Sequence, residues 1–237
     1  MSGPVRRSAQ ATLRSLCSKI DLWGRGKNLS VNRPSERIFG VVVAGGKSRR
    51  FGGHKVLAPL AGSPIGIWGV RALEAAGLSV GVVSAAEGVE AALGVPARPD
   101  LEVDLGPIGG LWTALQWAEE RGDGGVLLLG CDMPLVDEPL LRTIVGWSPA
   151  APAVVPVGPT GLEPLCALYR LTCATEVERR LHSDDRSLHG LANAVGATFM
   201  GEDVVAEVTD PRQAFMNVNT PEDRDLVERL LQSSLPS

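Results

Sequence analysis

The first half of the chain alternates short apolar runs with stretches in which apolar residues recur every three or four positions. The runs 38–44 and 125–130 are continuously apolar apart from glycine, which is typical of strands buried on both faces of a parallel sheet. Strands are predicted at 38–44, 78–83, 95–98 and 125–130, and helices at 64–76, 85–93 and 108–120. This β-α-β alternation predicts an α/β fold with a mostly parallel central sheet and right-handed crossovers.

The second half of the chain is less regular and predicts shorter elements. Helices are predicted at 140–147, 172–182 and 221–232, and strands at 153–157, 165–169, 198–200 and 204–208. Pro221 begins the last helix, and the acids Glu222 and Asp223 follow it. That order suits a helix N-terminus, where proline loses no hydrogen bond and negative charge is favoured.

A glycine-rich, cationic loop follows the first predicted strand. Its glycines and cations include Gly45, Gly46, Lys47, Arg49, Arg50 and Lys55. Backbone N–H groups beside glycine can approach a ligand closely, and nearby cations add to their attraction for anions. A Walker A loop would need glycine at Val41, and the G-x-G-x-x-G spacing is absent. The loop therefore indicates another kind of polyphosphate site, with Arg50 and Lys55 as its candidate phosphate ligands; the plainer interpretation is a turn with solvated cations.

Asp132 is the strongest single candidate for chemistry. It follows the predicted strand 125–130, and ligands of open parallel sheets bind beyond the carboxyl ends of their strands. A carboxylate there can hold Mg²⁺ against triphosphate oxygens, and the metal offsets charge on the transferring phosphorus. The alternative is a turn residue before Pro134. Next to a phosphate loop, the catalytic and metal-binding interpretation of Asp132 is favoured.

Other polar positions follow predicted strands or precede predicted helices. Asp100 could accept hydrogen bonds from the N–H and NH₂ groups of guanine, or could belong to a solvated acidic loop. Asn217 and Asn219 precede the last helix and suit a polar ligand, although helix capping by Asn219 or Thr220 is expected as well. Glu163 precedes the strand 165–169 and either faces a second ligand or marks the start of the strand.

Composition narrows the possible classes of protein. The net charge of −4 and the aromatic content of 4% disfavour a non-specific nucleic-acid binder. Residues 1–37 contain eight Lys or Arg and two acids, about +6, so the remaining 200 residues carry about −10. This segment is predicted to be a disordered or targeting-like basic tail, or an upstream start-site artefact, and 38–237 a single domain. No membrane span is expected, and the cysteine spacing suits a reducing cytoplasm.

Five motifs of this chain together resemble those of the molybdenum cofactor guanylyltransferases. In chain order they are V-A-G-G-K-S-R-R-F-G-G-H-K, G-P-I-G-G, L-G-C-D-M-P, E-P-L-C-A-L-Y and F-M-N-V-N-T-P-E-D. The resemblance spans about residues 38–232. It implies a Rossmann-like three-layer fold of the nucleotide-diphospho-sugar transferase type.

The resemblance also implies a reaction and its participants. Members of the family transfer GMP from Mg-GTP to the terminal phosphate of molybdenum-loaded molybdopterin, which forms a guanine dinucleotide cofactor and releases pyrophosphate. The implied cofactor is Mg²⁺, and the implied partners are GTP, molybdenum-molybdopterin and, transiently, cofactor-insertion proteins or recipient molybdoenzymes. A related transferase using CTP or a sugar phosphate, and a non-catalytic nucleotide- or cofactor-binding protein, are the alternatives.

Residue by residue, the resemblance assigns roles to most of the positions above. The nucleotide-binding set comprises Val43, Ala44, Gly45, Gly46, Lys55, Ser84, Asp100 and Asp132. Catalysis falls to Arg50, Lys55 and Asp132, metal binding to Asp132, and acceptor binding to Asn217 and Asn219. The chain departs from the family pattern at His54, where an aspartate often precedes the lysine, at Phe51, where methionine is usual, and at Ser84, where asparagine often contacts the nucleotide.

Overall fold

The computed structural model describes residues 36–44, 55–102 and 104–233. The predictions outside this range are those for residues 1–35 and for Gly45, Gly46, Arg50, Phe51 and His54. The domain boundary after residue 37 therefore stays a prediction. Arg37 itself already contacts the domain: its Nε lies 3.3 Å from Asp123 Oδ1, and its carbonyl accepts a hydrogen bond from Gly124.

Strands and helices alternate through the described residues. The strands are β1 (Ile38–Val43), β2 (Pro59–Leu60), β3 (Ser63–Pro64), β4 (Ser79–Val83), β5 (Ala97–Arg98), β6 (Gly125–Gly130), β7 (Ala153–Gly158), β8 (Gly161–Leu162), β9 (Cys166–Arg170) and β10 (Thr198–Met200). The α-helices are α1 (Gly66–Ala75), α2 (Val89–Leu93), α3 (Pro107–Glu120), α4 (Glu138–Trp147), α5 (Ala174–Leu181), α6 (Leu188–Ala194), α7 (Glu202–Ala206), α8 (Pro211–Ala214) and α9 (Pro221–Ser233). Short 3₁₀ turns occupy Lys55–Leu57 and Leu171–Cys173. Within the described residues, no helix has the length and apolar character required to cross a membrane.

The central sheet is mostly parallel, as predicted. Its order is β10-β7-β9-β6-β1-β4-β5, with β8 beside β7. β1 pairs in parallel with β4 and β6, β4 with β5, and β7 with β10. β9 is antiparallel to both of its neighbours, β6 and β7. Because β9 is reversed, its first residues lie beside the carboxyl end of β6, where Cys166 pairs with Leu129.

Helices cover both faces of the sheet, which confirms the three-layer α/β fold. The alternating side chains of β1 show how the two cores arise. Val42 packs with Leu73 of α1 and Leu140 of α4 on one face, whereas Phe39 and Val41 belong to the core on the other face. The helical members of that second core come from α3, α5 and α6, and include Ile108, Leu111, Leu115, Val177 and Leu191. Both faces of β1 are thus buried, which explains its continuously apolar sequence.

One predicted element was of the wrong type, and the helices predicted from residues 64 and 85 begin later than predicted. The helix predicted from residue 85 begins at Val89. The segment 204–208 was predicted as a strand, but α7 covers Glu202–Ala206. Val204, Val205 and Val208 have the spacing of one helical face, and all three pack against the core, so tertiary packing outweighs the strand propensity of valine. The helix predicted from residue 64 begins at Gly66 instead, because Ser63–Pro64 forms a hairpin with Pro59–Leu60.

Candidate functional site

The centre of the candidate site is a hydrogen-bonded group of three side chains from distant parts of the chain. Lys55 Nζ donates to Asp132 Oδ2 at 3.1 Å and to Asn219 Oδ1 at 2.8 Å. The Lys55 side chain is 10% exposed and that of Asp132 25%. The structure thus brings together a predicted phosphate ligand, the predicted metal ligand and a predicted acceptor residue.

Asp132 is held at the point where β1 and β6 end. The backbone N–H of Cys131 donates to the carbonyl of Val43 at 3.0 Å, and the N–H of Val218 donates to the carbonyl of Asp132 at 2.9 Å. Because the two strands are parallel, their carboxyl ends meet at one edge of the sheet, as predicted. The second hydrogen bond attaches the segment of Asn217 and Asn219 directly to that edge.

A small hydrophobic cluster is built from segments next to Lys55 and Asn219 in the chain. Leu60, Ile65, Val218 and Val227 are almost fully buried against one another. Leu60 lies in β2, shortly after Lys55 in the chain. Val218 lies between the two asparagines, and Val227 comes from α9. The cluster therefore joins the segment that carries Lys55 to the segment that carries Asn219.

The start of α9 fixes the backbone of Asn219. Thr220 Oγ1 accepts from the Asp223 N–H at 3.1 Å, while Asp223 Oδ2 accepts from the N–H groups of Asn219 and Thr220 at 2.9 and 2.8 Å. This reciprocal arrangement is a capping box, and it confirms the predicted cap at Thr220. The Asn219 N–H, together with Thr220 and the nearby Lys55 cation, holds the pKa of Asp223 below its usual range.

Asp100 lies on the other side of β1, against Val43 and Gly110. A Cβ at Gly110 would stand 3.2 Å from Val43 Cγ1 and 3.7 Å from Asp100 Oδ1, so the glycine leaves space beside the carboxylate. Asp100 Oδ1 is buried and, among the described residues, has no hydrogen-bond partner. Burial raises the pKa of Asp100. An acceptor kept in this state is available to a ligand that brings N–H donors.

Ala44 and Ser84 continue the same edge of the sheet. The Ala44 N–H donates to the Val83 carbonyl at 3.0 Å. Ser84 is buried, and its Oγ accepts from the Ala86 N–H at 3.2 Å. With Ala97 and Pro99 it lines a cavity of about 490 Å³. In this hydrogen bond the Ser84 hydroxyl is the acceptor, so its own O–H is not used as a donor there. The contact of Ser84 with nucleotide stays a prediction.

A second cavity, of about 380 Å³, lies on the side of Asn217. Its lining residues are Pro159, Thr160, Glu163, Pro211, Arg212, Phe215, Met216 and Asn217. Glu163 is 9% exposed; burial raises the pKa of its carboxyl to about 7, although a hydrogen bond from Thr160 opposes that rise. Sequence reasoning missed Thr160 and Arg212, because the hairpin β7–β8 and the four-residue α8 leave no periodic signal.

The donor set around Asp132 is compatible with a magnesium ion. Among the described residues no group of three or more His, Cys, Asp or Glu side chains could enclose a metal by itself. Mg²⁺, however, is usually held by one or two carboxylates together with substrate phosphates and water. One partly exposed carboxylate beside a lysine that is predicted to bind phosphate therefore fits a metal that arrives with a triphosphate.

A family model for the MobA-like NTP transferase domain matches residues 40–198. The chain is similar to a molybdenum cofactor guanylyltransferase of Rhodobacter capsulatus, with 30% identity over 84% of this chain and 100% of that protein. It is also similar to a probable molybdenum cofactor guanylyltransferase of Opitutus terrae, with 32% identity over 81% of this chain and 95% of the relative.

A solved structure agrees on the fold. The crystal structure of molybdopterin-guanine dinucleotide biosynthesis protein A from Archaeoglobus fulgidus matches with a TM-score of 0.69 and 23% identity, and the match covers 83% of this chain and 100% of that one. The family model begins within β1 and ends at the first residue of β10, so it includes the ends of β1 and β6 together with Lys55 and Asp132, whereas Asn217 and Asn219 lie beyond it. The chain therefore belongs to the family of the MobA-like NTP transferase domain and is a nucleotidyltransferase.

Proposed function

We propose that this enzyme transfers GMP from Mg-GTP to the terminal phosphate of molybdenum-loaded molybdopterin. The observation that carries the proposal is the Lys55–Asp132–Asn219 group, which joins a predicted phosphate ligand to a predicted acceptor residue within 3.1 Å. The names of the relatives from Rhodobacter capsulatus and Opitutus terrae support guanylyl transfer.

The proposed reaction makes one bond and breaks one. An oxygen of the acceptor's terminal phosphate forms a bond to the α-phosphorus of GTP, and the bond from that phosphorus to the α-β bridging oxygen breaks, so that pyrophosphate leaves. A phosphate monoester is largely ionised near pH 7, so the attacking oxygen needs no general base. Positioning and charge neutralisation are then the main tasks of the protein.

Lys55, Asp132 and Asn219 divide those tasks. Lys55 holds phosphate oxygens and offsets their charge, and Arg50, which the sequence predicts beside it, presents a planar fork to the same oxygens. Asp132 would hold Mg²⁺, which supplies positive charge to the α-phosphate and the leaving pyrophosphate. Asn217 and Asn219 orient the acceptor.

Asp100 favours guanine over cytosine. Guanine presents two adjacent donors, N1–H and the 2-amino group, to which a carboxylate is complementary. Cytosine presents an amino donor next to the acceptor N3, so one oxygen of Asp100 would face an acceptor. The buried Oδ1, with no partner among the described residues, therefore supports GTP against CTP.

We also propose that the reaction takes place in the cytoplasm. The described cysteines, Cys131, Cys166 and Cys173, are buried free thiols, and burial raises the pKa of Cys131 to about 12. Such thiols pack as small apolar residues, and thiols that are not joined in disulfides suit a reducing compartment.

Transient contacts with recipient molybdoenzymes stay a prediction.

The test is a pyrophosphate-release assay with each of the four nucleoside triphosphates, with and without molybdenum-loaded molybdopterin. The proposal predicts Mg²⁺-dependent release with GTP only, and only when the acceptor is present. Release with CTP in place of GTP would establish the cytidylyl alternative. Tight GTP binding without any release would identify a non-catalytic binding protein.

A further inference from the structure

We propose that Glu163 binds the pterin ring of the acceptor through its 2-amino and N3–H groups, with Arg212 facing the 4-oxo group. This inference rests on the proposed function, because it takes molybdopterin as the acceptor. It assigns a ligand group to Glu163, which the sequence left either facing a second substrate or marking the start of a strand, and a ring pocket to the side of the site that carries the two asparagines.

The walls of the second cavity suit a flat heteroaromatic ring. Pro159, Pro211 and Phe215 supply apolar surface, and its volume of about 380 Å³ lies within the range of small-molecule sites. The polar groups are few and of opposite charge: Glu163 and Arg212. Among the described residues no carboxylate lies within ion-pair distance of the Arg212 guanidinium, and Glu163 in particular does not pair with it.

The hydrogen-bonding edge of a pterin matches that pair of charges. Its N3–H and 2-amino groups are adjacent donors, and its 4-oxo group is an acceptor. A carboxylate accepts from both donors at once, and a guanidinium donates to the oxo group. Guanine has the same edge, and Asp100 on the opposite side of the site is its predicted partner. The two substrates would thus each meet one carboxylate, Asp100 or Glu163, through an identical pair of donors.

The Glu163 cavity and the reaction centre share one short segment. Asn217 lines the cavity and Asn219 accepts from Lys55, and two residues of chain span at most about 7 Å. Gly130 donates its N–H to the Leu165 carbonyl at 2.8 Å, which attaches the Glu163 side to the end of β6. An acceptor lying along this segment would have its pterin in the cavity and its phosphate beside Lys55.

Gly158 leaves room for the Glu163 carboxylate. A Cβ at this position would stand 2.7 Å from Glu163 Oε1 and 2.8 Å from Phe215 Cδ2. The absent side chain therefore lets the carboxylate and the aromatic ring lie side by side, as a ring-binding pocket requires. Gly158→Ala would displace both groups while leaving every charge unchanged.

The experiment measures binding of free pterin by calorimetry with GTP saturating and the metal chelated, so that no reaction occurs. Lumazine, in which a second oxo group replaces the 2-amino group, is the matched ligand. Wild-type protein should bind pterin in preference to lumazine. Glu163→Gln should weaken pterin binding about 10- to 100-fold, as loss of a hydrogen-bonded charge does, and should abolish the preference. Glu163→Asp should restore part of it.

Glu178→Gln, on an exposed position of α5, is the control and should bind pterin as the wild type does. Glu163→Gln should also raise the KM for the acceptor while the KM for GTP stays unchanged. Gly158→Ala should weaken pterin binding as well. Thermal melts of all variants report whether they fold.

The proposal is overturned if wild-type protein binds no pterin, binds lumazine equally well, or keeps its pterin affinity in Glu163→Gln. Failure of the proposed function is a different result, since it would show as absent guanylyl transfer by wild-type protein whose pterin binding still depends on Glu163.

Discussion

The strands on either side of β1 and β6 each place a carboxylate at the edge where the carboxyl ends of β1 and β6 meet, but they do so for different topological reasons. On the side of β4 and β5 every strand is parallel, so Asp100, two residues after β5, reaches that edge because carboxyl ends of strands do. On the other side β9 is reversed, and Glu163 reaches the same edge because it precedes its strand. Burial raises the pKa of both carboxyls. The comparison teaches that one topological rule locates only half of such a site.

The largest effect is expected at Asp132, which lies between the two carboxylates just compared. Asp132→Asn removes the carboxylate that both sides share, and we expect kcat to fall about 10²- to 10³-fold, as loss of a preorganised charge does. Folding should survive, because an asparagine oxygen can still accept from Lys55. Steady-state kinetics with a thermal melt checks this, and Asp184→Asn, in an exposed loop, is the control. Normal turnover would refute the metal assignment.

The next variant tests the lysine that is predicted to bind the triphosphate. Lys55→Ala removes the donor to both Asp132 and Asn219, and we expect kcat/KM for GTP to fall about 10- to 100-fold, since one charged hydrogen bond contributes about 1.5–3 kcal/mol. Arg229→Ala, exposed on α9, should be silent. If kcat/KM for GTP is unchanged in Lys55→Ala, the lysine does not bind the triphosphate.

Asp100→Asn tests the nucleoside side alone. Wild-type enzyme should prefer GTP to inosine triphosphate, which lacks the 2-amino group, and the variant should lose about 10-fold or more of that preference because asparagine cannot accept from both donors. The KM for the acceptor should not change. Competition assays measure the ratio, and an undiminished preference would place guanine elsewhere.

Thr220→Ala tests whether the cap of α9 holds Asn219 in position. It removes the cap of α9, and we expect the free energy of unfolding to fall by about 1 kcal/mol, with a modest loss of kcat as Asn219 loosens. Urea denaturation measures the first effect. Thr220→Ser keeps the hydroxyl and should retain wild-type stability; equal losses in both variants would argue against capping.

The last prediction is a pH dependence of stability on the acceptor side. The pKa of Glu163 is about 7 in the folded protein against 4.5 as its ordinary value, so the folded state binds more protons between those values and its stability falls as pH rises through them. Glu163→Gln should match the wild type at pH 4 and be more stable at pH 8. Denaturation across that range measures the difference, and Glu178→Gln should show none.

The regular half of the chain was predictable because each buried element repeats its pattern. The apolar runs of β1 and β6 indicated strands buried on both faces, and the positions of Lys55 and Asp132 followed from the rule for strand ends. Arg212 gave no such signal, and Glu163 was only an open candidate because it precedes a predicted strand. Their cavity is assembled from the β7–β8 hairpin, α8 and the segment before α9, none of which is long enough to show a period.

By itself, the sequence determined the α/β class, the parallel core and the residues whose chemistry suits phosphate, metal and base, because those depend on side-chain type and local spacing. Only the tertiary structure decided that Lys55, Asp132 and Asn219 are hydrogen-bonded neighbours, since 164 positions of chain separate the first from the last. It also decided that Glu163 shares a cavity with Asn217, because the reversal of β9 depends on pairing with strands far away in sequence. Contacts of that kind depend on the packing of the whole sheet, which no local pattern encodes.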